Sequence, residues 1–325
     1  MNFHLSFPVP VITPGIQYSD KLLFMGSCFA ENIGEALESY KFSTQINPHG
    51  VLYNPKSIAT ALIRYIENNA FAESELFYAN ECWKSWEHHS RYSDTDKNNC
   101  LSTINTGISS AHHFLKEADW LFITFGSAFV YRHNSTGEFV GNCHKVPQKE
   151  FSKVMMNSSE IITEYSSLLE HLKAFNPKLK VIFTVSPVRY IRDGVTENTL
   201  SKAQLIQAVH ILVKKYPDTF YFPAYELMMD DLRDYRFYKS DMVHPTEQAI
   251  SYIFEKLMHS TFSKESKIVF EKVKDILTAL HHRPFHTDTE AHRKFKVTYA
   301  ERCRLLQKEY SFLNLEEELN YFVHT

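Results

Sequence analysis

Lys21-Leu22-Leu23-Phe24-Met25-Gly26-Ser27-Cys28-Phe29-Ala30 is the stretch on which the reading of this chain turns. Residues 21–25 form a short apolar run of strand character. Beyond it, Ile33, Ala36, Leu37 and Tyr40 recur at helical spacing. Ser27 therefore falls where a buried strand ends and a helix begins. Such a corner leaves backbone N–H groups unpaired at the helix start. A serine there either caps the helix or, given a base elsewhere, stands among amide donors aimed at a developing oxyanion.

Three further buried-strand runs, 120–125, 180–185 and 219–222, alternate with helical patterns over 57–66, 158–175 and 201–215. Strands alternating with helices predict an α/β three-layer sandwich with a mostly parallel central sheet. Sites in such folds lie outside the carboxyl ends of the strands, where Ser27 falls. The polar, aromatic segment 73–105 reads as an insertion near the site. From about residue 261 the chain reads as helix only, so a domain over 1–260 is expected to carry a helical C-terminal extension over 261–325. That extension packs on the domain or, in a homo-oligomer, on another subunit.

The chain has 325 residues, 44% apolar and 14% aromatic, enough for a large core. A net charge of −3 gives no basic face for a nucleic-acid partner. The five cysteines, at 28, 82, 100, 143 and 303, form no CxxC pair and fit reduced thiols better than a disulfide framework. The N-terminus lacks the basic and apolar regions of a signal peptide. No apolar run approaches the roughly 20 residues that span a bilayer. The expectation is a cytoplasmic protein without a membrane partner.

The second chemical signal is Ser240-Asp241-Met242-Val243-His244-Pro245-Thr246. Thr246 can cap a helix whose apolar face is Ala249, Ile250, Ile253, Phe254 and Leu257. Across three loop residues Asp241 can fold back onto the His244 imidazole, accept from Nδ1–H and leave Nε2 as a base. A serine needs such a base, because its hydroxyl is a weak nucleophile at neutral pH. Ser, Asp, His is a chain order compatible with a triad. The plain alternative is a helix-entry carboxylate beside a core histidine.

The pairing of the two ends resembles the GSCFA family, whose name Gly26-Ser27-Cys28-Phe29-Ala30 spells, and through it the SGNH (GDSL-like) hydrolases. Segments 47–55, 142–147, 186–189 and 233–238 carry the resemblance further, over about residues 5 to 260. It implies a flavodoxin-like sheet, no cofactor, and catalytic Ser27, Asp241 and His244. Two departures stand out. Gly26 replaces the aspartate that precedes the SGNH nucleophile, and Gly126-Ser127-Ala128-Phe129 follows the 120–125 strand where a Gly-x-Asn-Asp block is usual. Oxyanion donors are therefore sought at Cys28, Gly50, Ser127 and Asn142.

Other candidates have two readings each. Cys28 is a rival nucleophile or a small buried hydrophobe. His144 binds substrate or is a turn residue, and Arg189 anchors an anion or forms a structural ion pair. Trp86 and His88 line an acceptor pocket or form the core of the insertion. The pairs His88-His89, His112-His113 and His281-His282 lack a carboxylate that would complete a metal-ligand spacing, so no metal is expected. The expected function is a serine-dependent O-acyl esterase acting on a small-molecule or glycan ester, such as an O-acetylated carbohydrate. The alternatives are an acyltransferase on the same site, or a non-catalytic glycan- or peptide-binding module.

Overall fold

The structure, a computed structural model, describes residues 5 and 7–324. In chain order the elements are β1 (Lys21–Gly26), α1 (Cys28–Ser39), β2 (Ser43–Ile46), α2 (Pro55–Glu67), β3 (Leu76–Ala79), β4 (Cys82–Ser85), α3 (Lys97–Glu117), β5 (Trp120–Phe125), β6 (Phe129–His133), β7 (Phe139–Val140), β8 (Phe151–Met155), α4 (Ser158–Phe175), β9 (Lys180–Val185), α5 (Val195–Lys215), β10 (Thr219–Tyr221), the short α6 (Ala224–Glu226), α7 (Glu247–Thr261), α8 (Lys264–Leu280), α9 (Glu290–Glu309) and α10 (Glu316–Val323). The central sheet has five parallel strands in the order β10-β9-β5-β1-β2. This is the expected flavodoxin-like order. The chain reverses its direction of winding between β1 and β5, and a crevice opens there at the carboxyl ends.

Alternate side chains of each inner strand serve opposite layers. Leu22 and Phe24 of β1, with Trp120 and Phe122 of β5, pack with α1, α7 and the C-terminal helices. Leu23 and Met25, with Leu121, Ile123 and Phe125, pack with α2 to α5. Strands buried on both faces read as continuous apolar runs, which is why these were visible in the sequence. The edge strand β2, Ser43-Thr44-Gln45-Ile46, is partly exposed and polar, and no apolar run marked it.

The C-terminal helices settle on the domain itself. Val273 and Ile276 of α8, Cys303 and Leu306 of α9 and Phe322 of α10 share a core with Leu37 and Phe42. Lys41 meets the buried Glu318 at 2.7 Å. Among the described residues no helix is long and apolar enough to cross a membrane.

The segment 73–105 departs from an irregular insertion. It holds the antiparallel hairpin β3–β4, and from Lys97 it is already α3, capped by Asp96, whose carboxylate accepts from the Asn99 N–H at 2.8 Å. Many polar residues in α3 hid its periodicity, although Cys100, Ile104, Ile108, Ala111 and Leu115 form its buried stripe.

Two histidines are locked beneath this hairpin. The rings of His49 and His88 stack at 3.9 Å, with His49 Nδ1 2.5 Å from the Tyr65 hydroxyl and His88 Nδ1 2.9 Å from Ser85 Oγ. Neither Nε2 finds a hydrogen-bond partner among the described residues. Burial, with the Arg64 charge adding to it, lowers His88 to about 3 and holds His49 well below the usual imidazole range. Both are neutral in the fold and gain a proton on unfolding in mild acid. Stability is therefore full above about pH 6.5 and falls as pH drops from there toward 3, by up to about 1.4 kcal/mol per pH unit per histidine. Urea midpoints should decline between pH 7.5 and pH 5, and His88→Phe should flatten that decline. An unchanged slope in His88→Phe would contradict the assignment.

Candidate active site

Gly26 makes the corner possible. Its φ is +131°, and a Cβ placed there would lie 2.1 Å from the Thr124 carbonyl oxygen of the neighbouring strand. Only glycine accepts that backbone with that approach. Gly26 N–H donates to Asn47 Oδ1 at 2.8 Å, and Leu52 N–H donates to the Gly26 carbonyl at 3.0 Å. Ser27 follows in extended conformation as the N-cap of α1. Its N–H donates to Thr124 O at 3.1 Å, and its Oγ accepts from Phe29 N–H at 3.3 Å. The cap reading of Ser27 is thus the one its hydrogen bond shows, and the residue is buried.

Asp241 and His244 stand on the loop before α7. Met242 adopts φ +59°, which curls the loop tightly enough for the Asp241 carboxylate to accept from Val243 N–H at 2.8 Å and His244 N–H at 3.0 Å. Its other oxygen lies 2.7 Å from His244 Nδ1. An ionised carboxylate only accepts, so Nδ1 carries the proton and Nε2 is left as the basic nitrogen. The two backbone donors, reinforced by the ring, hold Asp241 down at about 2, so it stays ionised at neutral pH. The loop is fastened at its base by Lys239 N–H to His244 O at 2.7 Å and Thr246 N–H to Phe237 O at 2.8 Å.

Ser27, Cys28, Ser127, Arg189 and His244 line one cavity of about 330 Å³ at the carboxyl ends of β1, β5 and β9. Among the described residues no hydrogen bond joins Ser27 to His244. Phe129, Tyr131 and Tyr190 form an aromatic wall. Burial pushes the Cys28 thiol up, which disfavours the thiolate.

The other sequence candidates lie outside this cavity. Gly50 is a turn glycine, φ +79°, whose N–H donates to Asn47 O at 2.7 Å. Asn142 braces the next turn, its Oδ1 accepting from His144 N–H at 2.8 Å and its Nδ2 donating to Ser90 Oγ at 3.3 Å. His144 is buried, and its Nε2–H donates to Ser85 O at 2.7 Å. Trp86 stacks on Phe77 at 3.6 Å, and His88 belongs to the buried pair, so both are core of the hairpin region. Among the described residues no cluster of three or more His, Cys, Asp or Glu is arranged to hold a metal.

Several polar groups around the cavity are already engaged. Gly126 N–H and Ser127 N–H both donate to Tyr53 O, at 2.8 and 2.9 Å, and Ser127 Oγ accepts from Phe29's counterpart on the next loop, Phe129 N–H, at 3.1 Å. Cys28 N–H opens α1 and has no helical acceptor one turn back. Asn54, which the sequence reading passed over, lines the cavity. Its Oδ1 caps α2 by accepting from Ser57 N–H at 2.8 Å, which fixes the amide and leaves Nδ2 as the free end. Its signal was the Asn-Pro pair opening a helix beside the corner. Lys202 was also missed. It is fully buried, donating to Gly126 O and Ser186 O at 2.7 Å each, and was concealed within the apolar stripe of α5.

The model of the GSCFA family matches residues 21–257, and that of the GSCFA domain protein C-terminal domain matches residues 273–324. No curated protein matches the sequence. Solved structures with detectable similarity include a carbohydrate esterase family 3 protein from Talaromyces cellulolyticus, 15% identical with a TM-score of 0.25, and an acetyl esterase mutant with acetate ion, 14% identical with a TM-score of 0.27. Each match covers 49% of this chain and spans 60% of the other.

The corner itself is testable. Gly26→Ala forces a Cβ onto the Thr124 carbonyl in a left-handed backbone, and is expected to cost about 3 kcal/mol of stability. A lowered urea midpoint is the expected result; an unshifted midpoint would mean the strand ends can part.

Proposed function

We propose that this chain, which belongs to the GSCFA family, is a serine-dependent O-acyl ester hydrolase. The observation that carries the reading is that Ser27, at the opening of α1, and His244, with Nδ1 bound to Asp241 at 2.7 Å, line one cavity. In this reading His244 Nε2 takes the Ser27 hydroxyl proton as Oγ bonds to the ester carbonyl carbon. The resulting oxyanion is held by Cys28 N–H and Asn54 Nδ2. Collapse breaks the bond to the alcohol oxygen, which receives the proton from His244, and water releases the acid by the same steps. Asp241 keeps the imidazole in the working tautomer and stabilises the imidazolium. The acyl group is a small one such as acetyl, and the alcohol a small molecule or carbohydrate. Water gives hydrolysis; a second alcohol at the same step would give acyl transfer.

Turnover of p-nitrophenyl acetate tests the roles. Ser27→Ala should abolish it, and Asp241→Asn should lower kcat by about 10²–10⁴. Asn54→Ala should lower kcat by about 10²–10³ with KM little changed. Equal turnover in wild type and Ser27→Ala would favour a second reading, an idle site on a binding module. Ser27 Oγ already engaged by Phe29 N–H is the observation on that side.

A further inference from the structure

Besides His244, the charged side chain lining the Ser27–His244 cavity is Arg189, and among the described residues it has no counter-ion. Arg189 lines the wall. Its backbone N–H donates to Val243 O at 3.2 Å, its guanidinium lies 4.0 Å from the centre of the Tyr238 ring, and one N–H reaches Met242 O at 3.4 Å. The group is fixed beside the histidine loop with donors to spare, and it forms no ion pair among the described residues. Beneath the floor, Lys202 is buried, its ammonium donating to the Gly126 and Ser186 carbonyls and lying 5.6 Å from the centre of the Tyr225 ring. Burial pulls it down to about 7.

Several cations elsewhere in the fold are met by carboxylates. Arg64 binds Glu87 at 2.7 Å and Glu75 at 3.0 Å, and Lys56 binds Glu164 at 2.7 Å. No carboxylate lines the cavity. Glu31, a turn along α1, is held by Arg91 at 2.7 Å, and Asp241 stands behind His244 with its oxygens taken by the loop. Asp193, near the aromatic wall, is paired with Lys153. Asp230 and Asp234 face the adjoining cavity on the other side of Arg189, and neither pairs with it. A half-buried guanidinium without a counter-ion, on a cavity that no carboxylate lines, points to an anion that arrives with the ligand.

We propose that the site selects esters bearing a carboxylate a few bonds from the scissile carbonyl, received by Arg189. The inference rests on the ester-hydrolase reading of the same site. Arg189 is the specificity-determining residue. Its planar donors suit a carboxylate, while the aromatic wall of Phe129, Tyr131 and Tyr190 accommodates the intervening chain. A cavity of about 330 Å³ has room for more than an acetyl group.

The test compares matched esters on the full-length protein. p-Nitrophenyl hemisuccinate against p-nitrophenyl pentanoate places the charge on the acyl side. 3-Acetoxypropanoate against propyl acetate places it on the alcohol side. Wild type should favour the anionic member of one pair by about tenfold or more in kcat/KM. Arg189→Met should collapse that ratio, and Arg189→Lys should restore part of it. A Ser27-dependent enzyme with no anionic preference in either pair would overturn this inference and leave the hydrolase reading standing. So would an Arg189→Met variant that loses both members of a pair alike, since Arg189 would then only brace the histidine loop. Absence of Ser27-dependent turnover on all four esters would overturn the hydrolase reading, and this inference with it.

Discussion

The site depends on one close backbone approach. Gly26 lies against the Thr124 carbonyl so tightly that a single added carbon would stand 2.1 Å from that oxygen. The contact fixes the ends of β1 and β5 in register, and the next residue along, Ser27, ties its own N–H to the same carbonyl at 3.1 Å. The serine is thereby held in extended backbone at the point where the sheet reverses its winding. A side chain on residue 26 has no room here, since it would meet strand β5.

From this corner the remaining parts follow by accounting for donors and charges. Parallel strands end with their carbonyls gathered at the crevice, which is unfavourable ground for an oxyanion. Tyr53 O, Asn47 O and Thr124 O consume the nearby backbone N–H groups, and Lys202 neutralises the Gly126 and Ser186 carbonyls. Cys28, Asn54 and Arg189 are among the residues left lining the cavity. The histidine loop is preorganised in the same economical way. A left-handed Met242 turns one carboxylate onto two backbone N–H groups and a ring nitrogen at once.

The sheet was legible because its inner strands are buried on both faces and so read as unbroken apolar runs. The serine corner and the Asp-x-x-His loop were legible because each is local, written within a few residues. What stayed hidden is non-local or against type. β2 is an edge strand with polar side chains, and α3 carries its buried stripe on a largely polar helix. Lys202 was passed over because a lysine on an apolar helical face looks like a solvated exception until the two carbonyls it serves, 76 and 16 residues away, are seen. Gly50, Asn142 and His144 attracted notice as a glycine, an amide and a histidine in family-like segments. Their hydrogen bonds are spent on holding the hairpin region, and none of that partnering is visible in a single sequence.

The central claim is that Ser27 is a nucleophile activated by His244. Reaction with a fluorophosphonate followed by peptide mapping addresses it most directly, because the reagent marks the attacking oxygen itself. The account predicts one adduct per chain, on the peptide carrying Ser27, and its loss in His244→Asn while that variant keeps its fold. An adduct on Cys28, or labelling of Ser27 that proceeds equally fast without His244, would contradict it.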